Sequence, residues 1–308
     1  MIARFGREIS VAIAYGILLA ILFIAQPSFF DAQYRLTWVS AAPVLVAAVG
    51  MTLVILTRQI DISIGAQFCI CGVVAGLVAR EGVPMPFVVL CAIAAGAIMG
   101  AANGWLVAGM GLPSIVVTLA SMVILRESLR WAREGAAVQG LPANFQWFGL
   151  PQEVGRWLLV LAAVGILLAF AWGLRWLVAG RTVYAVGSDH EAARLAGIRP
   201  KWVTFNVFVL MGALTGLAAM LNAVQFPMID PNAGNGLELK VIAAVVVGGV
   251  AISGGRGTLI GALIGVMLLA TIAPALTFLK FQSQWEKAIQ GLIILAAVAS
   301  DAFHRRGN

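Results

Sequence analysis

Long apolar runs, broken at intervals by short polar or charged segments, dominate the chain. A hydrocarbon core about 30 Å thick needs about 20 apolar residues per helix. Cutting the sequence at its charges, and at Gly/Pro breaks inside over-long runs, gives ten candidate spans: 9–30, 36–57, 62–79, 84–108, 112–125, 157–174, 203–226, 241–252, 259–279 and 288–300. The segments 112–125, 241–252 and 288–300 are short enough to be half-helices, so the pattern predicts eight to ten crossings. The run from Gly82 to Leu125 carries no charge and must cross twice or fold back. Its natural break is Gly109-Met110-Gly111-Leu112-Pro113, because Gly costs about 1 kcal/mol in a helix interior and Pro about 3 kcal/mol. At the N-terminus, Arg4 and Arg7 precede an apolar run that passes Ala25 and continues through Phe29 and Phe30 without a small-x-small cleavage site. It reads as a retained first helix, not a signal peptide.

Composition turns this pattern into a class. Of 308 residues, 61% are hydrophobic and 11% are charged, against about 25% charged in a soluble domain. A soluble enzyme of this size would lack the polar residues to cover its surface, so the chain is expected to be an all-α polytopic membrane protein, one domain over 1–308. The net charge of +7 is spread over short inter-span segments and reads as topology, not as a nucleic-acid surface. With ten crossings, eleven of the 20 Lys and Arg fall on the side of the N-terminus, which puts both termini in the cytoplasm. Trp38, Trp157, Trp176, Trp202 and Trp285 stand at span ends, where interfacial rings belong. Cys69, Cys71 and Cys91 lie inside apolar runs with no His or Cys at ligand spacing, and read as small, buried, reduced side chains.

Two polar segments are long enough to act. Arg126 to Arg156 lies outside in this topology and mixes charges with Trp131, Trp147 and Phe148; an amphipathic surface helix and a plain solvated loop fit it equally. Arg175 to Trp202 lies inside. There Ser188-Asp189-His190-Glu191 matches the S-x-x-E capping box, which predicts a two-turn helix over 189–196 with Ser188 as cap and Glu191 reaching back. Gly197 suits the position after the helix and Pro200 stops it. So short a helix is unstable alone; it is an ordinary capped turn or a helix held for docking to a partner.

In this segment the residues resemble a family. Gly180-Arg181-Thr182-Val183-Tyr184-Ala185-Val186-Gly187 followed by Glu191-Ala192-Ala193-Arg194-Leu195-Ala196-Gly197-Ile198 looks like the coupling-loop signature of ribose-type sugar permeases of ABC importers. Ile60-Asp61-Ile62-Ser63-Ile64-Gly65, then Asn103-Gly104 with Pro113 and Val117-Thr118-Leu119, then Gly236-Leu237-Glu238-Leu239 through Gly248-Gly249, Gly254-Gly255, Gly257 and Gly261 agree with it in order along nearly the whole chain. The nearest likeness is to autoinducer-2 and rhamnose import permeases, which share the Thr57-Arg58-Gln59-Ile60-Asp61 style. The resemblance implies a helical permease of about ten spans in two related halves, the second inverted if each half holds five. It also implies a periplasmic binding protein, a second permease subunit, identical or paralogous, and cytoplasmic ATPases that use the ATP and magnesium. By the same resemblance Glu191, Ala192, Ala193, Gly197 and Ile198 form the contact with the ATPase; Ala196 stands where Ser is often found.

The chain's own chemistry is spare. Gly249-Val250-Ala251-Ile252-Ser253-Gly254-Gly255-Arg256 lacks the Lys and Ser/Thr of a phosphate-binding loop, so the Gly cluster reads as tight packing or a broken helix and no cofactor is expected in this chain. No H-E-x-x-H or other metal spacing occurs. Ionisable residues inside spans are expensive and mark function; the spans hold almost none, and Asp61 lies at a span edge beside Arg58, with which it can simply pair. Asp61, Ser63, Gln67, Asn103, Thr118 and Asn222, with Asn206 and Gln225, are the candidate pathway groups, although helix-to-helix bonding accounts for each equally well. Hydroxyls and amides suit a neutral polyol better than an ion. The alternatives are a branched-chain amino-acid ABC permease, which would offer groups for a zwitterion; an ion-driven secondary transporter, which needs intramembrane carboxylates; and a membrane enzyme, for which no clustered acid, base or metal set exists.

Overall fold

The computed structural model describes residues 2–31 and 33–280, with positions 282, 285, 288, 289, 291, 292 and 295. The predicted span 288–300 falls outside the described residues except at those scattered positions. The described residues form helices and no strand ladder, with a single isolated bridge between Val138 and Ile229. The helices are α1 (Ile2–Ala25), α2 (Gln33–Leu56), α3 (Ile64–Arg80), α4 (Met85–Gly104), α5 (Ser114–Arg133), α6 (Gln152–Trp176), α7 (Val178–Ser188), α8 (His190–Leu195), α9 (Pro200–Ala223), α10 (Leu237–Val247) and α11 (Leu259–Phe278).

Among the described residues, six helices are long and apolar enough to cross a membrane: α1, α2, α4 with its terminal turn, α6, α9 and α11; α3 is a shorter apolar helix. The chain is thus a polytopic all-α membrane protein. Two boundaries differ most from the sequence pattern, and a third, the break inside the charge-free run, follows it. The first helix stops at Ala25, because Pro27 opens a separate 3-10 turn through Phe30. α4 passes through a π-helical turn, Trp105–Gly109, before Pro113 starts α5, so the charge-free run folds back where its Gly and Pro residues stand. And α5 does not end at the first charge: it continues through Arg133, so the connection to α6 is 134–151 rather than 126–156. Each added residue of a started helix gains a backbone bond, and Arg126 and Glu127 are good helix formers.

α2 is buried along nearly its whole length, as expected of a helix apolar on all sides. α4 and α9 pack on one another at close range, since Gly96 and Gly100 face Gly212 and Gly216: a Cβ on Gly96 or Gly212 would strike the other's carbonyl. In a membrane, where apolar burial between helices gains little, such small-residue contact is what holds helices together. Gly248, Gly261 and Gly265 do the same between α10 and α11.

One end of the bundle carries α7 and α8. α2 runs toward that end, and α9 and α11 run away from it. α1 also begins there, because Thr258 Oγ1, which caps α11, donates to Glu8 Oε1 at 2.8 Å. α3 and α10 are different. Each begins inside the bundle after the chain has turned back, α3 running away from the α8 end and α10 toward it. α10 has 11 residues, about 16 Å, half a hydrocarbon core. Trp157, Trp176, Trp202 and Trp285 expose their rings, whereas Trp38 packs on the core. The cysteines are free thiols; Cys69 and Cys71 are buried and Cys91 is only partly so.

Candidate functional site

The return from α2 to α3 packs polar groups into the interior. Asp61, Ser63, Gln67 and Thr118 have no exposed surface and Asn103 has almost none. Asp61 Oδ1 accepts from the Ser63 amide at 2.9 Å and the Ser63 hydroxyl at 2.5 Å, and Oδ2 accepts from Gln67 Nε2 at 3.4 Å. Ser63 Oγ accepts from Gln67 Nε2 at 2.7 Å and from Asn103 Nδ2 at 2.9 Å. Asn103 Oδ1 accepts from Ser121 Oγ at 2.6 Å. Thr118 Oγ1 lies 3.3 Å from the Ile60 carbonyl and 2.8 Å from that of Ser114, whose own Oγ accepts from the Ile60 amide at 3.3 Å. Three elements, the 57–63 turn with α3, the end of α4 and α5, thus close one network. Five of the six pathway candidates are brought together. Asn222 is not: it lies on the last turn of α9, where its carbonyl accepts from the Gln225 amide. Gln225 bonds its own helix at Leu221, and Asn206 is exposed.

The second half repeats the device. Ile229-Asp230-Pro231-Asn232-Ala233-Gly234 follows the spacing of Ile60-Asp61-Ile62-Ser63-Ile64-Gly65, and Asp230 Oδ1 accepts from the Asn232 amide at 2.8 Å as Asp61 does from Ser63. Asp and Asn side chains turn the backbone in this way because they mimic a peptide carbonyl. The two turns meet: a Cβ on Gly65 would fall 2.5 Å from the Gly234 carbonyl. Against Gly65 also packs the carboxylate of Glu238, in the first turn of α10, paired at 3.5 Å with Arg126 of α5. Glu238 Oε2, Arg126 Nε and Gln67 Oε1 are buried without a hydrogen-bond partner among the described residues. This corrects the expectation that the interior holds almost no carboxylate: Asp61 and Glu238 are both buried. Sequence reading placed them at segment edges because it could not see that the chain re-enters there.

Arg58 does not pair with Asp61. Its backbone takes φ 63°, and its side chain turns to the end of α7, where Nε donates to the Gly187 carbonyl at 2.6 Å and Nη2 donates to that of Ser188. Those are last-turn carbonyls with no partner in the helix, and a cation there also meets the negative end of the helix dipole. Gly255 donates to the Leu56 carbonyl at 2.9 Å, and Tyr184 Oη donates to that of Gly257 at 2.9 Å. A Cβ on Gly255 would fall 2.8 Å from the Ser188 backbone, so the Gly cluster serves close approach between the 248–258 turn and α7.

α8 is capped one residue later than predicted. Ser188 ends α7, and Asp189 is the cap, its Oδ1 accepting from the Glu191 and Ala192 amides at 2.9 and 3.0 Å. The Ala192 amide, helped by that of Glu191, holds the Asp189 carboxyl below the usual carboxylate range against the opposing effect of desolvation. Glu191 instead pairs with Arg194 at 2.9 Å. At the other end Gly197, φ 82°, donates to Arg194 and Ile198 donates to Ala193, a left-handed Gly stop. Glu191, Ala192 and Gly197 are exposed and Ile198 is partly so, but Ala193 faces the bundle. Leu195, which sequence reading passed over, is 84% exposed at the tip. Its signal was there: a large apolar residue amid small and charged ones on a short polar helix. For Ser114 and Ser121 the missed signal was their spacing from Thr118, i, i+4, i+7 in an apolar segment.

Comparison with known proteins accords with this architecture. The family model described as "Branched-chain amino acid transport system / permease component" matches residues 34–298. The autoinducer 2 import system permease protein LsrC of Enterobacter sp. (strain 638) is 34% identical over 297 residues, covering 96% of this chain and 87% of the relative. The proteins of that name from Escherichia coli (strain K12 / DH10B) and Yersinia pseudotuberculosis serotype O:1b (strain IP 31758) are each 34% identical, covering 96% of this chain and 87% and 85% of their own lengths. No solved structure matches. Both the family match and the identity extend over the re-entrant turns and the α7–α8 elbow, and the chain therefore belongs to the family of membrane permease components of ABC importers described by that model.

Proposed function

We propose that the chain imports a neutral, polyhydroxylated solute of the sugar and autoinducer 2 class, with α8 as the docking helix for an ATPase subunit that supplies both ATP and magnesium chemistry. A periplasmic binding protein delivers the solute, and a second permease copy or a paralogue completes the pathway. One observation carries the reading. The turn 57–63 is tied at Arg58 to the end of α7, next to α8, and three to five residues further on its Asp61 and Ser63 anchor the buried polar network. A push on α8 therefore has a short, hydrogen-bonded route to the interior. The relatives' printed names support the solute class, and so do the amides and hydroxyls of the network, which bond neutral oxygens without a counter-charge. The family description also names branched-chain amino acids; uptake of leucine rather than a sugar would favour that solute. With α8 at the cytoplasmic face, the N-terminal helix starts in the cytoplasm, and the 134–151 connection faces the periplasm.

The test is ATP-driven uptake by the complete transporter in vesicles. Leu195→Asp, which puts a charge on the exposed tip, is expected to abolish transport and ATPase association while the permease still reaches the membrane folded. Gly197→Trp, strained by its left-handed backbone by about 1–2 kcal/mol, should do likewise. Import by both variants at the wild-type rate would overturn the docking role of α8.

A further inference from the structure

The Arg126–Glu238 pair is built unlike an ordinary ion pair. Its contact is a single one, Nη2 to Oε1 at 3.5 Å, while Glu238 Oε2 and Arg126 Nε, both buried, have no partner within the described residues. Burying such groups unpaired is costly, more so when charged, so the arrangement wastes stability unless something else satisfies both atoms. On its inner side Oε2 packs against Gly65. The Glu238 side chain is 10% exposed, whereas Arg126 is 32% exposed, so the site opens through Arg126. It lies on the same helix as Ser121, five residues and about 7–8 Å further from the α8 end, just beyond the Asp61–Ser63–Asn103 network.

The two open atoms define the ligand. A carboxylate oxygen only accepts and a guanidinium N–H only donates, so whatever bridges them must donate at one atom and accept at its neighbour. The charges of Arg126 and Glu238 offset each other, which favours a ligand without net charge. A carboxylate ligand is disfavoured on charge, because Glu238 stands beside Arg126 and would repel it. Adjacent hydroxyls meet every requirement, one donating to Oε2 while the other accepts from Nε.

We infer that Arg126 and Glu238 form a vicinal-diol subsite at the outer mouth of the pathway, the first polar station for the solute before the Asp61–Ser63 network. The inference rests on the importer reading given above and deepens it by assigning the residues that recognise the solute. A minimal probe is 1,4-anhydroerythritol, a five-membered ring ether with a cis-diol, compared with 3-hydroxytetrahydrofuran, which lacks one hydroxyl, and with leucine as zwitterion. Binding is measured by saturation-transfer NMR on the assembled transporter. The diol is expected to bind at least tenfold more tightly than the mono-ol, and Glu238→Gln and Arg126→Gln should each erase that preference. The double variant should lose no more than either single one, because both atoms hold one ligand. Retained preference in both single variants, no diol preference in the wild type, or tighter binding of leucine would each overturn the subsite. ATPase activity that responds to Leu195→Asp in the same preparations would then leave the importer reading standing; activity indifferent to Leu195→Asp would remove that reading whatever the diol does.

Discussion

At the scale of single residues, Asp61 is held at both carboxylate oxygens. It has no exposed surface and it fixes Ser63 through both amide and hydroxyl, so Ser63 can present Oγ to Gln67 and Asn103. Removing it leaves those donors buried and unmatched. Asp61→Ala is expected to destabilise the folded permease by about 2–6 kcal/mol, two orphaned groups at the usual cost, seen as a lowered Tm in detergent; an unchanged Tm would show that the network does not hold this turn. Part of this was readable beforehand. The amide and hydroxyl positions 63, 67, 103 and 118 could be picked as polar residues in apolar surroundings. Their convergence could not, because Ser63 and Asn103 are 40 residues apart, and only packing of α3 on α4 decides that they touch. The partner of Arg58 was misjudged for the same reason: proximity in sequence favoured Asp61, but Asp61 is satisfied by its own turn and Arg58 reaches α7, more than a hundred residues on.

Among elements, the contacts that matter are backbone to backbone. α4 meets α9 through Gly96, Gly100, Gly212 and Gly216, where any side chain would enter the opposing carbonyl row. Gly212→Leu should force the two helices apart, with an overpacking cost of 1–3 kcal/mol or more, and is expected to yield little folded protein in the membrane. Gly165→Leu, at a position with open space around it, serves as control and should express normally. Equal yields of the two variants would mean that α4 and α9 do not cross as described. The spans themselves were legible from hydropathy because the lipid demands long apolar helices. The ends of α5 and α8 were not. Charge density suggested that α5 stops near Leu125, yet the helix carries Arg126 inward to Glu238; and the capping box suggested Ser188, although Asp189, one residue on, has the more strongly accepting side chain and takes both amides.

For the whole molecule, the turns 57–63 and 248–258 both touch the α7 end, through Arg58 and through Gly255 and Gly257. The α7–α8 elbow is thus hydrogen-bonded to the body at two separate places, twice through Arg58 and once through Tyr184 and Gly257, rather than hung from it. Arg58→Met keeps the length of the side chain and removes its donors. It should leave assembly with the ATPase intact but lower solute-stimulated ATP hydrolysis and transport about tenfold, the coupling being carried by those two bonds; transport at the wild-type rate would show that the elbow communicates by another route. At this scale interior charge is no longer scarce enough to exclude an ion-driven carrier. Two carboxylates are in fact buried, and membership of the permease family, not charge scarcity, is what separates this chain from such carriers.

Sequence alone determined that the chain is a helical membrane protein, roughly where it crosses, and which short segment resembles an ATPase-docking loop. Those properties follow from local composition, since transfer into lipid and helix capping act on residues close together in the chain. Which polar groups share an interior site, where Arg58, Arg126 and Glu238 find their partners, and which face of α8 points outward were decided by tertiary structure. The reason is physical: in a dry interior a polar group takes whatever partner packing brings within about 3 Å, and that partner comes from segments whose separation along the chain carries no trace of the contact.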